Sequence, residues 1–164
     1  EGDRGTPGRD HRGKPLMTCP ADSSLRERLD SLASFLPAFE APDFKFAHWA
    51  EPEEAEPGVV ALPESVLSMA AMEFIDAAYA MDWVLRNFDW SEWMQTPEAI
   101  ALRDDPGALK RATPDQLAKL LTVLIRQDRF VEGALAGAYD SGLVTAILRR
   151  AASLRDEIAK GDKA

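Results

Sequence analysis

Three charged residues at regular spacing offer the most specific chemistry in this sequence. Arg126, Arg129 and Glu132 follow one another at intervals of three residues, so they would line one edge across the short break near Asp128. Two arginines so placed could form a fork for a ligand carboxylate or phosphate. The same residues also suit an internal ion-pair network with Asp128, and with Glu98 or Asp140, that fixes one helix against another. Of the two interpretations we favour the network.

A histidine near an aspartate is the second candidate. His48 follows Asp43 by five residues, and the only other histidine, His11, lies near the N-terminus. An imidazole titrates near neutral pH, so this pair suits general acid–base chemistry. A Ser-His-Asp hydrolase would need His48 as its base, but the sequence has no Gly-x-Ser-x-Gly nucleophile elbow. We therefore expect His48 to be an exposed or half-buried residue near a strand end.

Aromatic residues are concentrated in one stretch of eleven positions, which contains Trp83, Phe88, Trp90 and Trp93. Such a cluster either lines a ligand pocket or belongs to the core, and aromatic clusters are more often core. We predict core for these residues, and keep Trp90 and Trp93 as candidates for contact with a ligand or partner.

The sequence lacks the residues that several other chemistries need. Cys19 is the single cysteine and His48 the single histidine outside the N-terminal tail, so a His/Cys zinc site cannot be assembled from them. The four glutamates within residues 51–56 do not follow EF-hand spacing. No glycine-rich phosphate loop with Gly-Lys-Ser/Thr occurs. We therefore expect no metal and no cofactor.

Charge and hydropathy exclude further classes. The 164 residues include 19 basic and 28 acidic side chains, a formal charge of −9. A broad nucleic-acid-binding face needs clustered lysine and arginine, so direct nucleic-acid binding is not expected. No apolar run approaches the roughly 20 residues that a membrane span requires. The composition, 46% hydrophobic and 29% charged, is that of an ordinary globular domain.

Helix signals dominate after the first two dozen residues. Leucines at helical spacing predict a helix from Leu25 to Leu36, which Pro37 stops. In the second half, a capping residue followed by proline marks three helix starts, and further helices are predicted over residues 128–141 and 143–161. The three starts are Thr96-Pro97, Asp105-Pro106 and Thr113-Pro114. In the helix that starts at Thr113, Thr122 and Arg126 fall on the face predicted to point outward.

The middle of the chain predicts a hairpin followed by a long helix. Alternating residues favour a strand over 44–49 with a partner at 59–62. From Pro63 to Arg86, apolar residues form one broad arc and a second stripe, Met72, Tyr79 and Trp83. A helix that is apolar on two sides is either central to the fold or shared with a second chain. We predict a central helix, with Trp83 buried in the monomer.

These elements predict a mainly α protein. We expect a single compact, bundle-like domain of five to seven helices over residues 17–164, with a short β-hairpin near 44–62. Residues 1–16 are rich in glycine, proline and basic residues, and we expect them to be a flexible tail or an added extension.

Several irregular motifs resemble an uncharacterised family of small bacterial proteins. They are Phe-Leu-Pro-x-Phe-Glu-x-Pro-Asp-Phe from Phe35, Phe-Asp-Trp-x-x-Trp from Phe88, and Leu-Leu-Thr-x-x-Ile-Arg-Gln-Asp-Arg-Phe-x-Glu-Gly from Leu120. The resemblance would cover nearly everything from Leu25 to Leu154. It implies a bacterial cytoplasmic domain, and it brings no activity, cofactor or catalytic residue.

Together these observations predict a non-enzymatic, acidic interaction domain that binds a protein partner and is monomeric. An acidic helical protein can also imitate a nucleic-acid backbone, as inhibitors from phage and mobile elements do. The alternative is a small hydrolase or transferase that uses Arg126, Arg129, Glu132 and Asp43 near a tryptophan-lined pocket. The two differ in geometry, because the enzyme needs Arg126 and Glu132 to converge in a cleft.

Overall fold

The computed structural model describes residues 24–52, 57–59 and 62–161, and these residues are mainly helical. They form nine helices and one two-stranded sheet, so the predicted mainly α fold with a short hairpin is confirmed. The predicted tail and Cys19 lie outside the described residues. In chain order the elements are α1 (Leu25–Ala33), α2 (Leu36–Phe39), β1 (Ala47–Ala50), β2 (Glu64–Leu67), α3 (Met69–Ala80), α4 (Trp90–Trp93), α5 (Pro97–Asp104), α6 (Pro106–Lys110), α7 (Pro114–Gln127), α8 (Ala134–Asp140) and α9 (Leu143–Gly161).

The three predicted helix starts are confirmed. The side chains of Thr96, Asp105 and Thr113 each accept a hydrogen bond from a backbone N–H in the first turn of α5, α6 and α7. At Thr113 the capping box is complete, because the Gln116 side chain accepts from the Thr113 N–H at 3.0 Å. The two shortest helices, α2 and α4, are single turns. The other seven match the upper bound of the predicted number.

The long helix predicted from Pro63 to Arg86 is half that length. Ser68 adopts an extended backbone, and its hydroxyl accepts from the Ala71 N–H at 3.2 Å, so α3 begins at Met69. It ends at Ala80, and Asp82 has a positive φ of 57° that no helix continues through. The predicted second stripe therefore loses Trp83, which follows the helix and is buried, while Met72 and Tyr79 remain on α3 as exposed residues.

The hairpin pairs different residues from those predicted. β1 and β2 are antiparallel, with Ala47 opposite Leu67 and Trp49 opposite Ser65. The partner strand thus comes from residues 64–67, not 59–62, because Ser68 ends the strand where the helix starts. Val59 and Leu62 are exposed.

Two further boundaries differ from the predictions. α1 ends at Ala33, where Ser34 caps it, and Pro37 lies in the first turn of α2, a position that needs no N–H. The predicted helix over 128–141 covers only α8, since residues 128–133 are turns. The last helix, α9, is confirmed from Leu143 to Gly161.

The core lies between α1, α3, α7 and α9, and it is rich in leucine and alanine. At one end it includes an aromatic cluster in which Tyr139 stacks on Phe46 with ring centroids 4.8 Å apart. The Tyr139 hydroxyl donates to the Phe39 carbonyl, and burial raises the pKa of Tyr139. These contacts tie α2 and the chain before β1 to α8.

Among the described residues, no helix combines the length and the hydropathy needed to cross a membrane.

Candidate functional site

The last turns of α7 hold an irregular segment of chain in place. Residues Met81–Leu85, called the inner segment below, follow α3 without regular structure. The Arg126 Nη2 donates to the Leu85 carbonyl at 3.0 Å. One turn earlier, the Thr122 hydroxyl accepts from the Leu85 N–H at 2.9 Å and donates to the Ala118 carbonyl at 2.7 Å. Both backbone groups of Leu85 therefore find partners on one face of α7.

This arrangement corrects the predicted outward face of α7. Thr122 is fully buried and Arg126 is half-buried, with its Nε buried and unpartnered within the described residues. A buried backbone that is neither helix nor strand needs hydrogen-bond partners from side chains. Thr122 and Arg126, four residues apart, supply them. On this face of α7, the polar residues therefore contact the backbone of the inner segment instead of facing solvent.

Arg28 holds the inner segment from the opposite side. Its Nε donates to the Met81 carbonyl at 2.8 Å and its Nη2 to the Asp82 carbonyl at 3.1 Å. The guanidinium carbon lies 4.6 Å from the centroid of the Trp83 ring, and the Trp83 Nε1–H donates to the Arg28 carbonyl at 3.0 Å. Sequence analysis missed this contact, because no local pattern pairs a residue of α1 with one more than fifty positions away.

A second irregular segment follows α7 and is anchored at both ends. Residues Asp128–Gly133 are called the outer loop below. The Asp128 carboxylate accepts from the Leu135 N–H at 3.0 Å, which fixes the start of α8. The Glu132 carboxylate accepts from the Ser65 N–H at 2.7 Å, so the loop is tied to β2.

Gly133 brings the hairpin close to this loop. Its φ of +82° favours glycine, and a Cβ there would lie 3.4 Å from Cζ2 of Trp49. The indole of Trp49 therefore rests against Gly133. The spacing of Gly133 and Gly137 predicts that another helix packs closely against both. A Cβ added at Gly137, however, would meet no neighbouring atom within 4 Å. Gly133 instead serves the left-handed backbone and the contact with Trp49.

The tryptophan candidates divide between core and surface. Trp93 is 8% exposed, and its ring lies 5.8 Å from that of Phe88, as the core prediction requires. Trp90 is half-buried and stacks on Phe130, with centroids 6.1 Å apart and planes at 26°. Asp89 caps this helical turn, and hydrogen bonds from the Glu92 N–H and the Ser91 hydroxyl lower the pKa of Asp89.

The histidine and aspartate candidates do not form a pair. Asp43 and His48 are both exposed, and no hydrogen bond joins them within the described residues. His48 lies opposite Val66 in the hairpin, which agrees with the expected exposed position on a strand.

The predicted ion-pair network is absent from the described part of the chain. Arg126 bonds a carbonyl and Glu132 bonds an amide, as given above, and Glu98 accepts from the Gln116 side chain at 3.4 Å. Arg129 is exposed and makes no ion pair with a described residue. The hydrogen bond to the Leu85 carbonyl engages the Arg126 guanidinium with the inner segment, whereas Arg129 is exposed.

The outer loop presents an aromatic surface that sequence analysis did not single out. Phe130 is 78% exposed, Val131 53% and Trp49 62%. We call these three residues the aromatic patch; all of them lie on the outer loop or against it. The only sequence signal was the pair Phe130-Val131 inside an otherwise polar stretch. Nothing in the sequence placed Trp49 against this loop, since its contact there is with Gly133.

Two clefts of the described residues lie along α6 and α9. None of the seven candidate residues lines those clefts. The described residues also contain no group of three or more His, Cys, Asp or Glu side chains that could hold a metal ion.

Comparison with protein families gives a match that covers residues 24–157. The chain belongs to DUF6508, a family of unknown function. The match spans all the motifs quoted above. Neither the curated proteins nor the solved structures gave a match.

Proposed function

We propose that this member of DUF6508 is an interaction domain that binds a protein partner through the aromatic patch. The observation that carries the proposal is the 78% exposure of Phe130 on a loop that is anchored at both ends. An aromatic side chain that lies mostly in water contributes little to the fold, and exposed apolar patches mark interaction sites. Aromatic residues and arginine are also the types that dominate binding energies at interfaces.

The anchoring of the loop strengthens this argument. A flexible loop would lose conformational entropy when it binds, whereas the outer loop is already held by Asp128, Glu132 and Gly133. Trp90 stacks beneath Phe130, so the exposed ring is oriented before any partner arrives. Arg129 adds an exposed charge at the edge of the patch, where it would set orientation and association rate.

The distribution of the candidate residues supports binding over catalysis. Arg126 and Glu132 bond different backbone segments, at Leu85 and Ser65. The hydrolase or transferase alternative needs them to converge in a cleft. An interaction surface requires no such convergence.

The setting of this interaction belongs to the same proposal. A single cysteine in 164 residues suits a reducing compartment, and we propose a bacterial cytoplasmic protein that is monomeric until it meets its partner. The charge of −9 also suits a more specific case. In that case this chain is a phage or mobile-element inhibitor, and its partner is a nucleic-acid-handling protein. Sedimentation at micromolar concentration should give a monomer.

The test compares the patch with other exposed apolar residues. The partner is captured by cross-linking in an extract of the source organism and identified, and its affinity for the purified chain is then measured by calorimetry. Phe130→Ser and Trp49→Ala should each weaken binding at least about tenfold, equivalent to about 1.4 kcal/mol. The matched controls are Met72→Ser and Ile100→Ser, which alter apolar residues exposed by 48% and 42% on other helices. Equal affinities for patch and control variants would contradict the proposal.

A further inference from the structure

A groove between α6 and α9 is the second surface with the features of a binding site. Two clefts, of about 420 Å³ and about 490 Å³, meet there and share Pro106, Leu109 and Ala146 as lining residues. These three residues form a continuous apolar floor. The groove lies on helices that do not contribute to the aromatic patch.

The side chains that line this groove are mostly positively charged, whereas the whole chain has a net negative charge. Four cationic side chains line the two clefts, together with one acidic side chain, Asp104. The chain as a whole carries −9. The four cations are Arg103, Lys110, Arg149 and Arg150.

Two of these cations have no acidic partner among the described residues. Lys110 is exposed and forms no ion pair there. The Arg103 Nε is buried at the other end of the groove and has no described hydrogen-bond partner.

The other two cations differ in availability. Arg149 pairs with Glu40 at 2.7 Å, and both side chains are well exposed. Such surface pairs are weak, so an incoming carboxylate could replace Glu40. Arg150 instead donates to the Ala112 carbonyl at 2.8 Å. It thereby joins α9 to the chain that follows α6, and its Nη1 lies 3.5 Å from the Glu157 carboxylate.

We propose that this groove binds a short acidic, amphipathic segment of a partner protein. Apolar side chains of the segment would cover Pro106, Leu109 and Ala146, and its carboxylates would meet Lys110, Arg149 and Arg103. A nucleic acid suits the groove less well, because Asp104 lies within it and Glu40 beside it. This inference is independent of the aromatic patch.

The experiment uses a defined probe with the intact chain. The probe is a fluorescein-labelled sixteen-residue helical peptide with leucines at i, i+3, i+4 and i+7 and glutamates elsewhere, measured by fluorescence anisotropy. The first control peptide replaces leucine by serine, and the second replaces glutamate by glutamine. We expect saturable binding of the probe and of neither control peptide. Added salt should weaken the binding of the probe.

Variants of the chain then locate the binding. Lys110→Glu with Arg149→Glu should weaken binding at least tenfold, whereas Lys45→Glu, an exposed lysine outside the groove, should leave it unchanged. If the double variant fails to fold, Lys110→Glu alone decides. Ala146→Phe, which fills the floor, should also weaken binding. Equal binding of the serine peptide, an equal loss in Lys45→Glu, or no saturable binding would overturn the proposal.

Discussion

The inner segment and the outer loop are both irregular segments that side-chain hydrogen bonds fix in place. Both are short, and in each case the hydrogen bonds run between side chains and backbone. Arg28, Thr122 and Arg126 bond the backbone of the inner segment, whereas Asp128 and Glu132 of the outer loop bond backbone N–H groups of α8 and β2. The inner segment buries its aromatic residue completely, and the outer loop leaves its own aromatic 78% exposed.

This difference shows that anchoring and burial are separable. If the outer loop were loosely held, exposed Phe130 would be an unremarkable feature of a mobile turn. Because Asp128 and Glu132 fix both ends, the exposure is a property of a defined backbone. The inner segment therefore contributes to stability, whereas we propose that the outer loop contributes to recognition, and mutations should separate the two.

The largest expected effect is at the aromatic residue of the inner segment. Trp83→Ala should lower the free energy of unfolding by about 3–5 kcal/mol, because a fully buried indole, its Nε1 hydrogen bond and its contact with Arg28 are lost. Trp49→Ala is the matched control and should cost about 0.5 kcal/mol or less. Urea denaturation measures both. Similar losses for the two tryptophans would remove the contrast between the segments.

Helix starts and the inner segment differ in how well the sequence predicted them. Helix starts such as Thr113 were predicted correctly, because a cap and a proline act within one turn. The inner segment was wrongly predicted as helix, because the apolar residues within 64–67 and 81–85 continue the helical pattern across Ser68 and Ala80. Only the Ser68 cap and the positive φ of Asp82 interrupt it.

The site residues show the same limit. Arg126, Arg129 and Glu132 share a spacing, yet their partners, Leu85 for one and Ser65 for another, lie 41 and 67 positions away. Spacing within a helix carries no information about such contacts. The prediction of exposed His48 and buried Trp93 succeeded because it used residue type and local pattern alone.

A smaller effect should test the hydrogen bonds of the inner segment. Thr122→Val keeps the side-chain shape but leaves the Leu85 N–H without its acceptor, so we expect a loss of about 1–3 kcal/mol. Hydrogen exchange at the Leu85 amide should accelerate more than the global change requires. Thr145→Val on α9, where no side-chain hydrogen bond is described, is the control. An unchanged stability for Thr122→Val would mean that α7 does not hold this segment.

The outer loop gives a test with opposite signs at two glycines. Gly133→Ala places a Cβ at a φ of +82° and 3.4 Å from Trp49, so it should destabilise by about 1 kcal/mol. Gly137→Ala lies within α8 with open space around it, and should stabilise by up to about 1 kcal/mol. Thermal midpoints measured side by side suffice. Stabilisation by both substitutions would show that the outer loop is not held in the left-handed conformation.

The smallest effect on stability should occur at Arg129, one of the residues of the predicted ion-pair network. Arg129 is exposed and makes no ion pair with a described residue, so Arg129→Ala should change the free energy of unfolding by about 0.5 kcal/mol or less. Arg126→Ala is the matched control and should cost about 1–2 kcal/mol, because the Leu85 carbonyl loses its donor. A large loss at Arg129 would restore the network and place the outer loop with the inner segment as a structural element. A small loss, together with weaker partner binding, would separate stability from recognition within three residues of one chain.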